Sequence, residues 1–362
     1  MRPRLRANIP HDAPSRLVIL CVFPSPGFGH AGKPVAGPKD RVSHSFQSNF
    51  LISLLSASRR RPDWPGPQKS GSQLVAEESP TVVFQALRSG IRYNSESMDE
   101  KPQETVSVEF AVGIGDGKFT AAAVVPAGET NLTQILPVLQ SLDDSLIGGI
   151  TAQLNQAGLA VSCKAGCGAC CRQMVPLSIF EAEALSNWVR TLPESRQEEL
   201  AGRFHQALLK LAAAGLIDRM VNEDWLAETE SARQLALDYF YQRVPCPFLE
   251  DESCSIHPIR PLICREYLVT SPPQYCADPA TLQAAPVHLP LNFSRILNAI
   301  GAEVERDSRG WIPLVFLFAW MKSGARPGEA VAGVGPQVLY EFVKRIGQAR
   351  SRMPAADPSP ST

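Results

Sequence analysis

The sequence predicts an α+β protein that is mostly helical and has a small β-hairpin near the start of its folded part. Three patterns support this fold class. Apolar residues alternate with others over 106–126, they recur at steps of three and four over most of 130–349, and prolines interrupt the helical pattern over 258–279. Alternation is typical of a half-buried strand, whereas steps of three and four are typical of an amphipathic helix.

Residues 1–97 differ in composition from the rest of the chain. They contain 11 prolines, 14 serines and 13 Lys and Arg against 6 Asp and Glu, a net charge of +7, whereas residues 98–362 carry 22 against 30, a net charge of −8. Such a segment has too few regularly spaced apolar residues to form a core. We therefore predict a disordered extension over 1–97, with Met98 as the true start, and a disordered tail over 351–362. Deleting residues 1–97 is expected to leave the fold intact.

The segment 98–157 is predicted to contain the hairpin and one helix. Val106, Val108 and Phe110 alternate with other residues, and a second apolar run covers 121–125, after the glycine-rich stretch 113–117. Two strands joined by a tight turn fit this pattern. The spacing of apolar residues then predicts a helix over 130–157.

The segment 158–350 is predicted to be a helical domain. Ser178 should begin a helix, because Ser178-x-x-Glu181 has the spacing of a capping box. Further helices are predicted over 194–214, 225–242, 293–305, 313–322 and 337–349. The chain has no repeat with a period of 20–50 residues, so a solenoid is excluded.

Eight of the nine cysteines fall into two groups. The first group is Cys163, Cys167, Cys170 and Cys171, and the second is Cys246, Cys254, Cys264 and Cys276. The groups are separated by 74 residues, and the ninth cysteine, Cys21, lies in the N-terminal extension. Gly166 and Gly168 allow the first group to turn tightly, so that several sulfur atoms can converge on one point.

Metal ligation explains this arrangement better than the alternatives do. Structural thiols would be dispersed through the core, and disulfides need an oxidising compartment. The apolar stretch 17–23 ends at prolines and lacks a small-residue cleavage site, so it is a poor export signal. We therefore expect a cytoplasmic protein whose eight clustered cysteines bind metal in a loop-rich centre.

The spacing leaves the metal open between zinc, iron and an iron–sulfur cluster, since thiolates suit all of them. Adjacent residues such as Cys170 and Cys171 point apart, by ~100° in a helix and ~180° in a strand, so one ion rarely takes both. Either the segment shares more than one metal ion, or one of the pair is not a direct ligand. The helices over 178–243 should bring the two groups together.

One ordered pattern resembles a known family. It consists of Cys163-x3-Cys167-x2-Cys170-Cys171-Arg172, then 175–178, then Cys246-Pro-Phe-Leu, then 254–267. This pattern covers about a third of the chain and resembles the cysteine-cluster family described as zinc- or iron-chelating, often called the YkgJ family. The broad group includes the flagellin lysine N-methylases. The resemblance implies metal chelation by these cysteines, and for most members it implies no settled reaction.

Several neighbouring residues have a structural interpretation beside a functional one. Arg260 and Arg265 flank Cys264 and could offset the negative charge of thiolates, or pair with an acidic residue of 250–252. Arg172 supports either interpretation less well. His257 stands where the family more often has Tyr and is best interpreted as a turn residue. Glu181 is explained by its capping box, and His205 by its helix.

Two kinds of enzyme compete with simple metal binding. An S-adenosylmethionine-dependent N-methylase of the Rossmann type needs a strand, a glycine loop and a helix, but Gly113-x-Gly115-x-Gly117 continues into an apolar strand pattern. A radical enzyme would use Cys163-x3-Cys167-x2-Cys170, yet Ala169 stands where an aromatic residue is usual, and no alternating strand–helix series follows.

Composition excludes further classes of function. Residues 98–362 are acidic and have no basic stripe, which argues against nucleic-acid binding. No run of ~20 apolar residues is present, so no spanning helix is expected. The expected partner is a metal ion, and no protein partner is indicated.

Overall fold

The computed structural model describes residues 83–87, 104–114, 117–222, 229–278, 284–305 and 309–350. The strands are β1 (Val83–Leu87), β2 (Thr105–Ile114), β3 (Gly117–Pro126), β4 (Glu129–Asn131), β5 (Pro176–Ser178), β6 (Leu249–Glu250), β7 (Ser253–Cys254), β8 (Trp311–Pro313) and β9 (Ala332–Val334). The helices are α1 (Leu136–Gln156), α2 (Ile179–Thr191), α3 (Glu194–Ala213), α4 (Leu216–Val221), α5 (Thr229–Tyr241), α6 (Leu262–Glu266), α7 (Phe293–Val304), α8 (Leu317–Met321) and α9 (Gly335–Arg350). The fold is α+β and mostly helical, as the sequence predicts.

The predicted hairpin is confirmed. Strands β2 and β3 pair antiparallel from Thr105 opposite Pro126 to Ile114 opposite Gly117. The alternating residues Val108 and Phe110 are buried and face the helices, which is the expected result of a side-chain period of two. The glycine-rich stretch therefore lies between two antiparallel strands and does not lead into a helix.

Strand β1 is an element that the sequence analysis missed. It pairs antiparallel with β2, from Val83 opposite Ala111 to Leu87 opposite Ser107, and makes a three-stranded sheet in the order β1-β2-β3. Its residues lie before Met98, inside the segment predicted to stay outside the fold. Residues 1–82 and 88–103 lie outside the described residues, so the predicted boundary at Met98 stays a prediction.

Helix α1 begins six residues later than predicted. Residues 129–131 form β4, which pairs with β9, and the helix begins at Leu136 with Pro137 in its first turn. Proline suits the first turn because its missing N–H has no partner there in any helix. Asn131 holds the preceding turn, because its side-chain oxygen accepts from the backbone N–H of Gln134 at 3.0 Å.

The predicted capping box at the start of α2 is present. Ser178 Oγ accepts from the backbone N–H of Glu181 at 3.1 Å, and the backbone N–H of Ser178 donates to Glu181 Oε2 at 3.2 Å. The other carboxylate oxygen of Glu181 accepts from the backbone N–H of Leu262 at 2.7 Å. This buried side chain therefore also joins the start of α2 to the start of α6, two residues before Cys264.

Three apolar clusters hold the elements in place. The first packs the inner face of β2 and β3 against α1, α7 and α9. The second joins α3, α4 and α5, and the third joins α2, α3 and α8 with Phe248. The ring of Phe248 is fully buried and meets the ring of Phe204 edge-on at 5.4 Å. It thereby anchors the chain between Cys246 and Cys254 on α3.

The pairing of β1 changes the expected outcome of truncation. Deleting residues 1–97 removes β1 and leaves the backbone groups of β2 over 107–111 without their strand partner. Deleting only residues 1–79 keeps β1. We expect the first variant to melt lower than the second by about 2–4 °C, the shift for roughly 1 kcal/mol in a domain of about 150–250 residues. Thermal unfolding followed by circular dichroism measures the difference, and equal melting temperatures would contradict a stabilising role for β1.

Candidate metal centre

The first cysteine segment forms tight turns around its glycines. Gly166 has φ of +83°, a conformation that L side chains rarely adopt. Gly168 lies so close to the carboxylate of Glu252 that a Cβ atom would collide with it. Gly166 is therefore required by the local backbone, and Gly168 leaves room for the Glu252 carboxylate beside it. Cys170 and Cys171 lie in the short 3-10 helix Ala169–Arg172.

The second cysteine segment lies directly against the first. The backbone N–H of Cys246 donates to the carbonyl oxygen of Cys171 at 2.7 Å. The 3-10 helix Ala169–Arg172 also packs against the 3-10 helix Pro273–Ala277, which carries Cys276. The fold thus brings together two groups of cysteines that are 74 residues apart in sequence.

Arg172 and Glu252 form a second connection between the segments. Arg172 Nη2 lies 2.6 Å from Glu252 Oε1 and Nη1 lies 3.0 Å from Oε2, while Nη1 also donates to the carbonyl oxygen of Gly168 at 2.7 Å. The pair is bidentate, which fixes direction as well as distance. The sequence analysis gave Arg172 little weight and assigned Glu252 to other arginines, so this connection was missed.

The turn between β6 and β7 presents Glu252 to Arg172. Its central residues, Asp251 and Glu252, have φ of +48° and +57°. Positive φ at both positions is the geometry of a tight hairpin turn whose twist matches the strands. Leu249 pairs with Cys254 in this hairpin, so the turn also sets the position of Cys254.

The electrostatic interactions among the cysteines do not follow the sequence groups. The charge of Cys276 interacts with Cys163, Cys167 and Cys170. The charge of Cys264 interacts with Cys246, Cys254 and Cys170. We call these the 163–167–276 set and the 246–254–264 set. Cys276 belongs with the first segment in space, although it follows the second in sequence, and Cys170 lies between the sets.

Burial disfavours the thiolate form of cysteines in both sets. Burial raises the pKa of the Cys246 thiol to about 12 and that of the Cys264 thiol well above its ordinary value. The pKa of Cys276 is also raised, chiefly by burial, although a hydrogen bond with Tyr267 lowers it in part. A metal ion that takes thiolates here must displace protons.

Cys170 and Cys171 are neighbours in a single 3-10 turn. A side-chain hydrogen bond with Cys171 is the largest cause that raises the pKa of Cys170, followed by burial. That one ion rarely takes both of them stays a prediction.

The basic residues near Cys264 have different roles. The charge of Arg260 lowers the pKa values of Cys163, Cys170 and Cys254, against larger opposing effects of burial. This agrees with a cation that offsets thiolate charge. Arg265 is buried and its Nη1 lies 2.6 Å from Asp144 Oδ2, so neither arginine has the predicted partner in 250–252.

The two histidines considered in the sequence analysis have other surroundings. His257 is exposed at the start of the 3-10 turn 257–259, and its Nε2 lies 2.8 Å from Arg260 Nη1. His205 is half-buried on α3. Within the described parts of the chain, no three His, Cys, Asp or Glu side chains are already arranged to hold a metal ion. The donors nevertheless suit a soft metal by their chemistry, because they are cysteine thiols on adjoining segments.

Buried carboxylates lie beside the 246–254–264 set and were not predicted. Glu181 and Glu266 are both buried. Glu181 accepts from two backbone N–H groups, and Glu266 accepts from a backbone N–H and from the side chain of Asn292. Asp143 on α1 is fully buried, and neither of its oxygens has a hydrogen-bond partner within the structure described. Burial, followed by the charge of Glu266, raises the pKa of Asp143 to about 8. No sequence signal marked this residue, because it occupies an apolar position of the helical pattern.

Comparison with known proteins identifies the class of this segment. Residues 162–281 match a family model named CxxCxxCC and described as a "Putative zinc- or iron-chelating domain". The predicted resemblance to a cysteine-cluster family is confirmed over these residues. No curated protein and no solved structure matches the chain. No helix in the described part of the chain is long and apolar enough to cross a membrane.

The ionisation of Asp143 should make stability depend on pH. Its pKa rises from 3.8 to about 8 on folding, so its protonated form favours the folded state at low pH, and that contribution is lost as the pH rises to about 8. Asp143→Asn removes this titration. We expect the melting temperature of the variant, relative to that of the natural protein, to increase between about pH 5 and about pH 8. The corresponding gain in the free energy of unfolding is at most ~1.4 kcal/mol per pH unit.

The matched control is Asp144→Asn, which alters the next residue. Asp144 has a half-exposed side chain that pairs with Arg265. Its loss should shift stability without the same increase with pH. Melting curves of both variants across this pH range give the measurement, and parallel curves for Asp143→Asn and the natural protein would contradict the prediction.

Proposed function

We propose that this protein binds zinc or iron through the cysteines of both segments. The observation that carries the proposal is the backbone contact between Cys171 and Cys246, which joins the two cysteine segments. Thiolates are the preferred ligands of these soft and borderline metals. The match of residues 162–281 to a zinc- or iron-chelating domain supports the same function.

We further propose two adjoining metal centres. A tetrahedral ion takes four ligands, and eight thiols would serve two such ions. The 163–167–276 set and the 246–254–264 set would each supply three ligands, and Cys170 and Cys171 at their junction would supply one to each centre. Cysteine thiolates also hold iron–sulfur clusters, so iron with sulfide is a second form that this proposal allows.

Arg260 would compensate the charge of the loaded site. Four thiolates around a divalent ion leave a net negative charge, and burying such a charge is costly without a nearby cation. Arg260 already interacts with thiols of both sets, and its Nε is buried without a hydrogen-bond partner in the described structure. Removing this cation should therefore weaken metal binding.

The enzyme alternatives have weaker support. The glycine motif proposed for S-adenosylmethionine binding begins at the end of β2 and ends at the start of β3 of an antiparallel hairpin, whereas a nucleotide-binding loop would lead into a helix. Outside this sheet, the described strands form only two-stranded antiparallel sheets. This arrangement does not resemble a parallel barrel. Since thiols persist in reducing compartments, we propose a cytoplasmic location.

Paired cysteine substitutions test the two-centre arrangement. Cys167 and Cys276 belong to one set, whereas Cys167 and Cys264 belong to different sets. Serine replaces a soft thiolate with a hard, poorly ionised ligand. We expect each single variant to lose about one metal ion per chain. The Cys167/Cys276 double variant should lose no more than either single variant, and the Cys167/Cys264 double variant should lose the sum.

Elemental analysis and absorption spectra of protein purified without air give the readout. Iron with acid-labile sulfide and a brown colour would indicate a cluster, and colourless protein with zinc would indicate chelated ions. Cys21→Ser is the control and should change neither metal content nor melting temperature. Equal, non-additive losses of metal in every double variant would contradict two centres and indicate one shared site. Natural protein purified without any metal would overturn the proposed function.

A further inference from the structure

A cavity with several polar and charged side chains in its lining lies between α2 and the end of α8, and none of the cysteines lines it. Its volume is about 310 Å³, at the lower end of the range for small-molecule sites. The lining includes Glu183, Ser186, Asn187, Arg190, Trp320 and Arg326. These side chains combine one buried carboxylate with arginines nearer the surface.

Glu183 provides a negative charge at the inner part of the cavity. The residue is only 8% exposed. Its Oε2 accepts from Thr133 Oγ1 at 2.8 Å and from the backbone N–H of Gly328 at 2.8 Å, whereas Oε1 has no hydrogen-bond partner in the structure described. A buried carboxylate with one oxygen unused is a site for a cationic donor.

Trp320 and Gly328 lie at the inner part of the cavity, near Glu183. Trp320 lines the same cavity and is almost fully buried, and indole rings attract ammonium groups over their faces. A Cβ atom on Gly328 would come within 2.5 Å of Thr133 Oγ1 and 3.0 Å of Glu183 Oε2. Because Gly328 has no side chain, its backbone N–H can approach and donate to Glu183 Oε2, which keeps the carboxylate in place.

Arginines provide positive charge nearer the surface. Arg190 is exposed, and its guanidinium donates to Asn187 Oδ1 at 3.1 Å and to the carbonyl oxygen of Met321 at 3.3 Å. A guanidinium has five N–H donors, so donors remain for a ligand. Arg326 pairs with Glu329 at 3.5 Å, and both side chains are exposed. Exposed ion pairs of this kind are weak.

The spacing of the opposite charges defines the ligand. Glu183 and Arg190 are seven residues apart on α2, so their Cα atoms lie roughly 10 Å apart on nearly the same face. We infer that this cavity binds a small zwitterion, with a primary ammonium at Glu183 and Trp320 and a carboxylate at Arg190 and Arg326. The ligand class is that of free amino acids. This site is separate from the proposed metal centre.

Calorimetric titration of the full chain tests the inference with defined probes. Glycine, 4-aminobutyrate and 6-aminohexanoate present the two charges at increasing separation, whereas butyrate and butylammonium each present only one. We expect at least one zwitterion to bind, about tenfold or more tighter than either singly charged probe. Failure of all three zwitterions at millimolar concentration, or equal binding of the singly charged probes, would overturn the inference.

Substitutions locate the binding. Glu183→Gln keeps an acceptor for Thr133 and Gly328 but turns a donor amide toward the ammonium, and Arg190→Met removes an exposed charge that carries little of the fold. Each should weaken the best probe by about tenfold. Lys322→Met, a nearby change outside the lining, is the control. Unchanged binding in Arg190→Met would also overturn the site, and metal content, measured on the same samples, should stay constant throughout.

Discussion

The contact between the backbone of Cys171 and that of Cys246 is the constraint on which the arrangement of the thiols depends. It is a single hydrogen bond of 2.7 Å, but it joins the two ends of the chain segment that contains α2, α3, α4 and α5. Closing so long a loop costs entropy that one hydrogen bond worth about 1 kcal/mol does not offset. The packing of Phe248 on α3 and the bidentate pair of Arg172 and Glu252 supply the rest. Apolar burial determines that the segments meet, and the polar contacts determine their register.

Local signals in the sequence were reliable where the neighbours along the chain decide the structure. The capping box at Ser178 depends on residues three apart, and the hairpin of β2 and β3 depends on alternation around a short turn. Gly166 was identified by the same kind of reasoning. In each case the relevant physical interaction lies within a few residues, so the sequence order already contains it.

Features set by long-range packing could not be predicted in this way. Cys276 belongs in space with Cys163 and Cys167 because the turn at 273–277 packs on the turn at 169–172, and spacing alone could not show this. Asp143 occupies a position in an apolar pattern and shows nothing unusual until α1 packs against α6. Strand β1 lies in a proline- and serine-rich segment, where composition hid a short paired stretch.

Protonation connects the thiols with the buried carboxylates beside them. Glu181 accepts from Leu262 at the start of α6, and its negative charge is one of the causes that raise the pKa of Cys264. Glu266, at the other end of the same helix, binds Ser294 and raises the pKa of Asp143. Helix α6 thus carries the Cys264 thiol between Glu181, which accepts a hydrogen bond from its first residue, and Glu266 at its last residue. Any ion that replaces the proton of Cys264 brings positive charge close to Glu181, so the carboxylate that disfavours the bare thiolate would favour the metal-bound one. Electrostatics would then make this site costly to ionise when empty and favourable when loaded, which couples metal uptake to the packing of α6 against α2.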